Sequence, residues 1–224
     1  MASKLDPDQV TDTALRLLNE TGLEGLTLRR IAKELDVQAP ALYWHFANKQ
    51  ALLDAMATEI HRRMAATPPP AADAPWQEWI TASARTLRRA LLGYRDGAKV
   101  FSGTRFVGND HAVQLDRHLG ALCAAGFTLD EAVLVSSTAY AFTIGFVVEE
   151  QAVHPVPGES DPYFDVAARA ERIGPELPLA AGAGKGLFTG FEERFERGLA
   201  MVVAGIAATH PGVATVVGVA EGEA

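Results

Sequence analysis

Side chains that hydrogen bond or stack are concentrated in one short stretch near the N-terminus, residues 38–46. The stretch runs Gln-Ala-Pro-Ala-Leu-Tyr-Trp-His-Phe, and Pro40 suits the first turn of a helix. Leu42 and Phe46 stand four residues apart, so they would share the buried face of that helix. A Gln side chain can pair with adenine, and a small Ala side chain can contact the methyl group of thymine. The residues left to face outward, and therefore to read bases in a major groove, are Gln38, Ala39, Pro40, Ala41, Tyr43, Trp44 and His45.

The aromatic residues of this stretch have a second interpretation, which is an ordinary hydrophobic core. A helix of this length cannot bury Tyr43, Trp44 and His45 together, so part of the cluster must face solvent or DNA. DNA binding is therefore the preferred interpretation. Cationic and hydroxyl side chains nearby suit contacts to phosphates, which fix the register on the duplex, or to base edges in the case of arginine. They are Thr27, Arg29, Arg30, Tyr43 and Lys49.

Three short helices are predicted to position these residues. Residues 8–21 carry apolar side chains at helical spacing. Thr27 is a natural N-cap for a second helix over 28–35, and after a tight break a third helix begins near Pro40. A seating helix, a tight turn and a helix whose first residues enter the major groove define a helix-turn-helix. We therefore predict a helix-turn-helix DNA-binding domain over residues 1–48, called the head below.

The rest of the chain is also predicted to be helical. Asn48 is a plausible N-cap for a connecting helix over 49–66, and the proline-rich segment 67–75 is predicted to be a linker because consecutive prolines cannot continue a helix. Residues 76–208 are assigned to a larger domain for effector binding and dimerisation, and residues 209–224 to a C-terminal tail. The fold class is all-α, with about nine to ten helices. Those of the larger domain are expected near 76–93, 96–101, 111–125, 129–152, 164–173 and 187–208.

Composition restricts the class of protein further. Of the 224 residues, 48% are hydrophobic, which is ample for a folded core. The formal net charge is −8, but residues 1–66 hold eight basic and nine acidic residues, so most of the excess negative charge lies beyond residue 66. We find no apolar run long and charge-free enough to span a bilayer, and we expect a cytoplasmic protein. The single cysteine, Cys123, excludes an intrachain disulfide and is expected to be a buried thiol.

Several motifs resemble those of a known family of regulators. Residues 25–32, Gly-Leu-Thr-Leu-Arg-Arg-Ile-Ala, and residues 42–54, which begin Leu-Tyr-Trp-His and end Leu-Leu-Asp, resemble the DNA-binding signature of the tetracycline-repressor (TetR) family. The resemblance implies an all-helical homodimer that represses transcription from a palindromic double-stranded DNA operator and responds to a small-molecule effector. Similarity to the tetracycline-repressor branch itself continues in residues 90–100, 103–105, 122–127 and 145–151.

Dimerisation is expected to involve two long apolar segments, residues 129–152 and 187–208. Each is too apolar for a helix with one solvent-exposed face, and the resemblance implies a four-helix bundle between subunits. Burial within one chain is the alternative. Two recognition helices of such a dimer would lie about one DNA turn apart, roughly 34–36 Å.

The resemblance also places the effector site, and here the sequence departs from the tetracycline-binding pattern. Phe101 stands where the family has a histidine that ligates magnesium, and a phenylalanine cannot donate to a hard cation. Ala65 and Ser83 replace polar residues that grip the drug, Leu87 replaces an aromatic wall residue, and His118 stands where a glutamine would be. The expected effector is therefore a small, largely apolar or aromatic molecule that binds without a metal or other cofactor.

Three further residues of the effector site match the family pattern. Thr104 and Arg105 are retained in the turn that moves on induction, and Glu149 is retained where an acidic residue of the partner subunit helps to hold the water shell of the metal. The neighbouring Glu150 diverges from Glu149 on a helix, so both are expected to be surface or interface carboxylates rather than an acid–base pair. In the expected mechanism, the effector biases residues 96–105, which contact the connecting helix and so change the separation of the two heads.

Other classes of protein stay open at this point. A magnesium–tetracycline-responsive repressor of a resistance gene is the nearest alternative. An enzyme is disfavoured because the sequence has no nucleophile elbow, phosphate-binding loop, dinucleotide-binding glycine pattern or zinc-protease motif. A helical small-molecule carrier that has lost DNA binding is disfavoured by the intact reading stretch. A transcriptional activator with the same fold is not distinguished by sequence.

Overall fold

A computed structural model describes residues 5–156 and 158–213, and every regular element within them is helical. The all-α prediction is confirmed. Within the described residues there are twelve α-helices and a short 3-10 helix, Pro162–Phe164, where we expected about nine to ten helices. The α-helices are α1 (Pro7–Gly25), α2 (Leu28–Glu34), α3 (Ala39–Tyr43), α4 (Lys49–Met64), α5 (Trp76–Leu92), α6 (Gly97–Phe101), α7 (Asp110–Ala124), α8 (Leu129–Val153), α9 (Val166–Ile173), α10 (Pro178–Gly182), α11 (Gly184–Phe188) and α12 (Phe191–Thr209).

The additional helices come from a stretch of small residues that shows no apolar stripe. Pro178 occupies the first turn of α10, and α11 follows after one residue. The expected helix over 187–208 therefore begins later, at Phe191, because Gly190 adopts a left-handed conformation with φ of 63°. Most of the tail, residues 214–224, and Pro157 lie outside the described residues.

Local capping chemistry explains the helix starts of the head. The Thr27 side chain accepts a hydrogen bond from the backbone N–H of Arg30, and the Asn48 side chain accepts one from Ala51. Both predicted N-caps are confirmed. Gly22 breaks α1 with φ of 67°, so the final turn of this element departs from the axis of the first part.

The head and the neighbouring part of the body share a continuous core. Leu18, Ile31 and Leu42 are fully buried in the head, and the same apolar cluster runs through α4 to Leu91 of α5 and Val147 of α8. Burying each such side chain stabilises the fold by about 1.5–3 kcal/mol. A second cluster forms the far end of the body, where Trp76, Trp79, Leu122, Phe127, Val135 and Ile206 meet. The division of the chain at residue 48 stays a prediction.

Helix α8 is apolar over most of its length. It has 25 residues, and its most apolar window has a mean hydropathy of 1.5, so it satisfies the length and composition of a membrane span. Our expectation that no run does so was wrong. One such helix is weak evidence for a membrane, and α8 packs against α5, α6, α7 and α12. Its exposed apolar side chains are Leu129, Val133, Leu134 and Tyr140.

A buried ion pair ties α8 to α5. Arg88 donates through Nε and Nη2 to both oxygens of Glu150, at 2.9 and 2.8 Å, and both side chains are about nine-tenths buried. The expectation that Glu150 lies on the surface is therefore corrected, whereas Glu149 is exposed. The expectation that Cys123 is a buried thiol was also wrong, because this residue lies on the exposed side of α7.

Candidate DNA interface and effector pocket

Helix α3 presents an exposed aromatic surface. Leu42 and Phe46 are 0% and 5% exposed, as their spacing predicted, and they anchor the helix in the core of the head. Trp44 is 88% exposed and Tyr43 is 55% exposed. Gln38 precedes the helix at its N-cap position without making a side-chain capping bond, which leaves its amide available. The residues predicted to read bases are therefore mostly exposed, but Ala39 and Ala41 are half-buried and Ala39 packs against the core of the head.

The start of α2 and the end of α3 enclose a shallow groove beside this surface. Its lining includes Thr27, Arg29, Tyr43, Asn48 and Lys49. The Lys49 ammonium donates to the Leu23 carbonyl oxygen at 2.9 Å, so this cation holds the turn between α1 and α2. Hydroxyl, guanidinium and ammonium groups on one groove are the set that contacts DNA phosphates.

The body contains a cavity of about 450 Å³. Helices α4, α5, α7 and α8 form its walls, with Phe101 of α6 and Phe106 of the following loop. Five of the eight residues predicted to bind the effector line it, and three do not. The lining residues are Ala65, Ser83, Leu87, Phe101 and His118, whereas Thr104, Arg105 and Glu149 lie elsewhere.

A run of prolines forms a wall that the sequence analysis missed. Pro68, Pro69 and Pro70 line the cavity together with Thr67, although we had assigned them only to a linker. Consecutive prolines have a fixed backbone and no N–H to donate, so this wall is stiff and apolar. Nothing in the local pattern signals the role, because it depends on where α4 and α5 place the two ends of the segment.

One end of the cavity is polar and centres on His118. Its Nδ1 lies 3.2 Å from Ser83 Oγ and its Nε2 lies 3.0 Å from Ser136 Oγ. Burial lowers the pKa of the His118 imidazole below its ordinary value, so the ring is neutral near pH 7. Tyr140 also lines the cavity, and burial raises the pKa of its phenol.

The other end carries a cluster of rings packed at tilted angles. The Phe106 ring lies 4.8 Å from the His61 ring and 5.2 Å from the His111 ring, centroid to centroid. Burial, and then the nearby His111, lower the pKa of His61. The His111 Nδ1 atom is buried without a hydrogen-bond partner in the described part of the chain. Within residues 5–156 and 158–213, no three His, Cys, Asp or Glu side chains come together as a metal site.

The loop after α6 is hydrogen bonded to the connecting helix α4. The backbone N–H of Arg105 donates to Asp54 Oδ1 at 3.0 Å, and the backbone N–H of Val107 donates to Thr58 Oγ1 at 2.8 Å. Phe101, which ends α6, and Phe106, which lies between Arg105 and Val107 in the loop, both line the cavity. The loop therefore touches the cavity on one side and α4 on the other.

The start of α6 is joined directly to the head. Asp96 Oδ2 accepts a hydrogen bond from the backbone N–H of Leu23 at 3.0 Å, and Asp96 Oδ1 accepts one from Lys99. Burial alone would raise the pKa of Asp96, but the bonds from Lys99 and Leu23 hold it below its ordinary value. Gly97 follows at a close approach, since a Cβ there would lie 2.2 Å from the Leu91 carbonyl oxygen. Asp96 and Gly97, which begin the segment expected to respond to the effector, are thus tightly packed.

Comparison with known proteins settles the family. Residues 10–56 match the model of bacterial regulatory proteins of the tetR family, and residues 68–210 match the tetracyclin repressor-like C-terminal domain. The chain belongs to the TetR family. The class A tetracycline repressor of transposon 1721 from Escherichia coli is 41% identical over 221 residues, which cover 99% of both chains.

Solved structures of TetR-family proteins have the same fold. A possible TetR-family regulator from Streptomyces coelicolor A3(2) is 39% identical with a TM-score of 0.79, covering 91% of this chain and 100% of that one. A tetracycline-repressor variant from Acinetobacter baumannii AYE in complex with minocycline is 32% identical with a TM-score of 0.69, covering 95% and 100%.

Membership of the TetR family establishes the biochemical class. The chain is a ligand-responsive, DNA-binding transcriptional repressor that acts as a homodimer, and it is not an enzyme. The helix-turn-helix lies within the segment that matches the family's N-terminal model, and the cavity lies within the segment that matches its C-terminal model apart from α4 and Thr67.

Proposed function

We propose that this TetR-family repressor is released from a palindromic operator by a small, largely apolar effector that binds without a metal. The observation that carries the proposal is the position of Phe101. Its ring is buried and lines the cavity, at the position where the family's magnesium-ligating histidine is expected. A phenyl ring offers no lone pair to a cation.

The rest of the wall supports an apolar ligand. Ala65 and Leu87 line the cavity beside Trp79, Ile80 and the proline run. A cavity of about 450 Å³ falls in the size range of small-molecule sites, which are mostly apolar with a few polar groups that fix orientation. Three of the polar groups here, Ser83, His118 and Ser136, are hydrogen bonded to one another.

A magnesium–tetracycline complex is the second candidate effector. Similarity over 99% of the chain to the class A tetracycline repressor favours it. The donor set opposes it, because magnesium requires oxygen or nitrogen ligands in near-octahedral geometry and Phe101 supplies none. No step of the mechanism below therefore passes through a metal.

The DNA contacts are proposed on exposure and chemistry. The residues that would face base edges lie on and beside α3: Gln38, Ala39, Pro40, Ala41, Tyr43, Trp44 and His45. The residues that would contact phosphates or bases lie at the starts of α2 and α4: Thr27, Arg29, Arg30 and Lys49. Lys49 would exchange the Leu23 carbonyl for a phosphate oxygen. The repressor would bind its operator in the cytoplasm as a dimer. The α3 helices of the two subunits would lie about 34–36 Å apart and read the two halves of the operator.

The dimer interface is proposed to lie on α8 and α12. Only a third of the apolar window of α8 is buried within one chain, and Leu129, Val133 and Leu134 are exposed on it. Met201 of α12 is 69% exposed. Exposed apolar side chains on two helices that pack together are typical of a protein interface. Glu149, exposed on α8, would then face the partner subunit.

The proposed switch runs from the cavity through the loop after α6 to α4. An effector that fits against Phe101 and Phe106 displaces the loop, and the loop's bonds to Asp54 and Thr58 transmit the displacement to α4 and so to the head. The effector shifts the equilibrium by its difference in affinity between the DNA-binding and released states.

The proposal is tested by first selecting the operator from random duplex DNA and then measuring release. Fluorescence anisotropy with the selected operator compares apolar aromatic compounds without metal against tetracycline with magnesium. We expect release by the former and no magnesium-dependent release by tetracycline. The matched control is Phe101→His, which restores an imidazole at this position. Micromolar, magnesium-dependent tetracycline binding by the natural chain would overturn the metal-free proposal.

A further inference from the structure

We propose that the polar end of the cavity selects effectors that carry a hydroxyl group, which donates a hydrogen bond to Ser83 Oγ. The proposal rests on the proposed function, because it specifies the chemistry of the same apolar effector. It follows from the direction of the hydrogen bonds that connect Ser83, His118 and Ser136.

The direction is set at Ser136. Its hydroxyl lies 2.7 Å from the Ala132 carbonyl oxygen, which can only accept, so Ser136 donates there. The Ser136 oxygen is then free to accept from His118 Nε2, 3.0 Å away. The proton of the neutral imidazole is therefore on Nε2.

With the proton on Nε2, the Nδ1 atom of His118 is an acceptor. Ser83 Oγ lies 3.2 Å from it and donates its single hydrogen. The opposite arrangement, in which Nδ1 donates to Ser83 and Ser136 donates to Nε2, leaves the short Ser136–Ala132 contact unused. The arrangement that satisfies all three contacts leaves Ser83 with lone pairs and no hydrogen to offer.

Ser83 is placed to present those lone pairs to a ligand. It lies on α5 with an exposed side chain on the cavity wall, whereas Ser136 and His118 are less exposed behind it. A ligand hydroxyl can donate to Ser83 without breaking any of the three bonds. A methoxy or carbonyl oxygen can bind there only if Ser83 turns its hydrogen away from Nδ1, which leaves this acceptor unpaired once the ligand covers it.

The apolar part of the cavity determines which kind of molecular skeleton can carry the ligand's hydroxyl group. Leu87, Phe101 and Trp79 offer ring and aliphatic surface, and Pro68–Pro70 complete the wall. The expected ligand class is therefore a phenol or cyclic alcohol on an otherwise apolar ring system, and not a polyhydroxylated or metal-chelating molecule.

The test compares matched probes on the purified full-length dimer. Phenols with one, two and three fused rings are each paired with their methyl ethers, and binding is measured by calorimetry near pH 8. We expect the best-fitting phenol to bind at least about tenfold more tightly than its ether, since that ratio corresponds to roughly 1.4 kcal/mol, within the range for an unpaired buried group.

Variants test whether the preference for phenols over ethers depends on the hydrogen bonds that connect Ser83, His118 and Ser136. Ser83→Ala should reduce the phenol-to-ether ratio to about one, and Ser136→Ala should reduce it because Nε2 loses its acceptor. Ser137→Ala is the matched control, since Ser137 also lines the cavity but donates to the Leu134 carbonyl, and its ratio should not change. Equal binding of phenols and ethers, or a preference that survives Ser83→Ala, would overturn the proposal.

A ligand-free measurement tests the direction of the bonds separately. Nitrogen-15 NMR of histidine-labelled protein, with His118 assigned by its loss in His118→Gln, should show the Nε2–H tautomer. An Nδ1–H tautomer overturns the proposal. Equal binding of both probe series leaves the apolar effector of the proposed function standing, whereas binding by no apolar probe overturns both.

Discussion

The carboxylate of Asp54 accepts a hydrogen bond from the backbone N–H of Arg105 at 3.0 Å, and this bond joins the loop after α6 to the helix that leads to the head. The same carboxylate oxygen accepts a bond from Gln50 on its own helix. The Arg105 guanidinium is exposed and makes no hydrogen bond with the described residues. Coupling through this contact therefore depends on the Asp54 side chain and on the backbone, and not on the arginine side chain that drew attention in the sequence.

Replacing Asp54 should weaken the response to effector more than it weakens DNA binding. In Asp54→Ala the loop loses one of its two bonds to α4, and we expect the effector concentration for half-release to rise roughly 2- to 30-fold, the range for coupling energies of about 0.5–2 kcal/mol. Operator affinity should stay within about threefold of the natural chain. Anisotropy titrations of operator-bound dimer with effector give both quantities.

Arg105→Ala is the matched control for that experiment, because it keeps the backbone N–H that Asp54 accepts. Its half-release concentration should be unchanged within about twofold. If Arg105→Ala blunts release as strongly as Asp54→Ala, the guanidinium carries the coupling and the assignment to the backbone bond is wrong.

The contrast between Asp54 and Arg105 shows what the sequence could and could not provide. N-caps such as Thr27 and Asn48 can be predicted from the sequence, because the donor and the acceptor of the capping hydrogen bond are within three residues of each other. The contact of the prolines with the cavity and the Arg88–Glu150 ion pair cannot be predicted from the sequence, because each joins segments that only tertiary packing brings together. Adjacent Glu149 and Glu150 look equivalent in sequence, and the rotation of α8 buries one and exposes the other.

Trp44 should matter for DNA binding and not for folding. Its side chain is 88% exposed, so Trp44→Ala removes almost no buried surface and should change the free energy of unfolding by less than about 0.5 kcal/mol. Operator affinity should fall roughly 5- to 150-fold, as expected for the loss of about 1–3 kcal/mol of base contact. Denaturant unfolding and anisotropy on the same preparation separate the two effects.

Leu42→Ala, two residues from Trp44, is the contrasting variant and should reduce the free energy of unfolding. Leu42 is fully buried, so this variant should lose about 2–5 kcal/mol of stability through the cavity it leaves. A Trp44→Ala protein that unfolds as readily as Leu42→Ala would show that the tryptophan packs in the core and does not face DNA.

Two ion pairs on α5 should differ greatly in their contribution to stability. Arg88→Met leaves Glu150 buried without its partner and should destabilise the protein by about 3–5 kcal/mol. Arg85→Met breaks an equally bidentate pair with Glu196, but those side chains are 49% and 34% exposed, so the loss should be about 0–1 kcal/mol. Equal losses in thermal unfolding would contradict the assigned difference in burial.

Effector binding should depend on pH through His118. Burial holds the pKa of this imidazole below its ordinary value of about 6.5, so the neutral ring that accepts from Ser83 predominates at pH 7 and above. Below its pKa, both ring nitrogens donate, and Ser83 becomes a donor toward the cavity. The phenol-to-ether affinity ratio should then fall toward one as the pH decreases through the pKa of His118, because the ether oxygen can then also accept a hydrogen bond from Ser83.

Other ionisable groups face the same cavity, and controls must separate them from His118. They are His61 on α4, His111 and Arg117 on α7, and Tyr140 on α8. His61 and His111 pack against Phe106 at the other end of the cavity, so a charge on His61 should weaken phenol and ether alike. His118→Gln should abolish the difference between the two pH profiles, and His61→Gln should preserve it. A phenol profile that parallels the ether profile from pH 8 to pH 5 in the natural chain would show that the His118 proton does not control recognition.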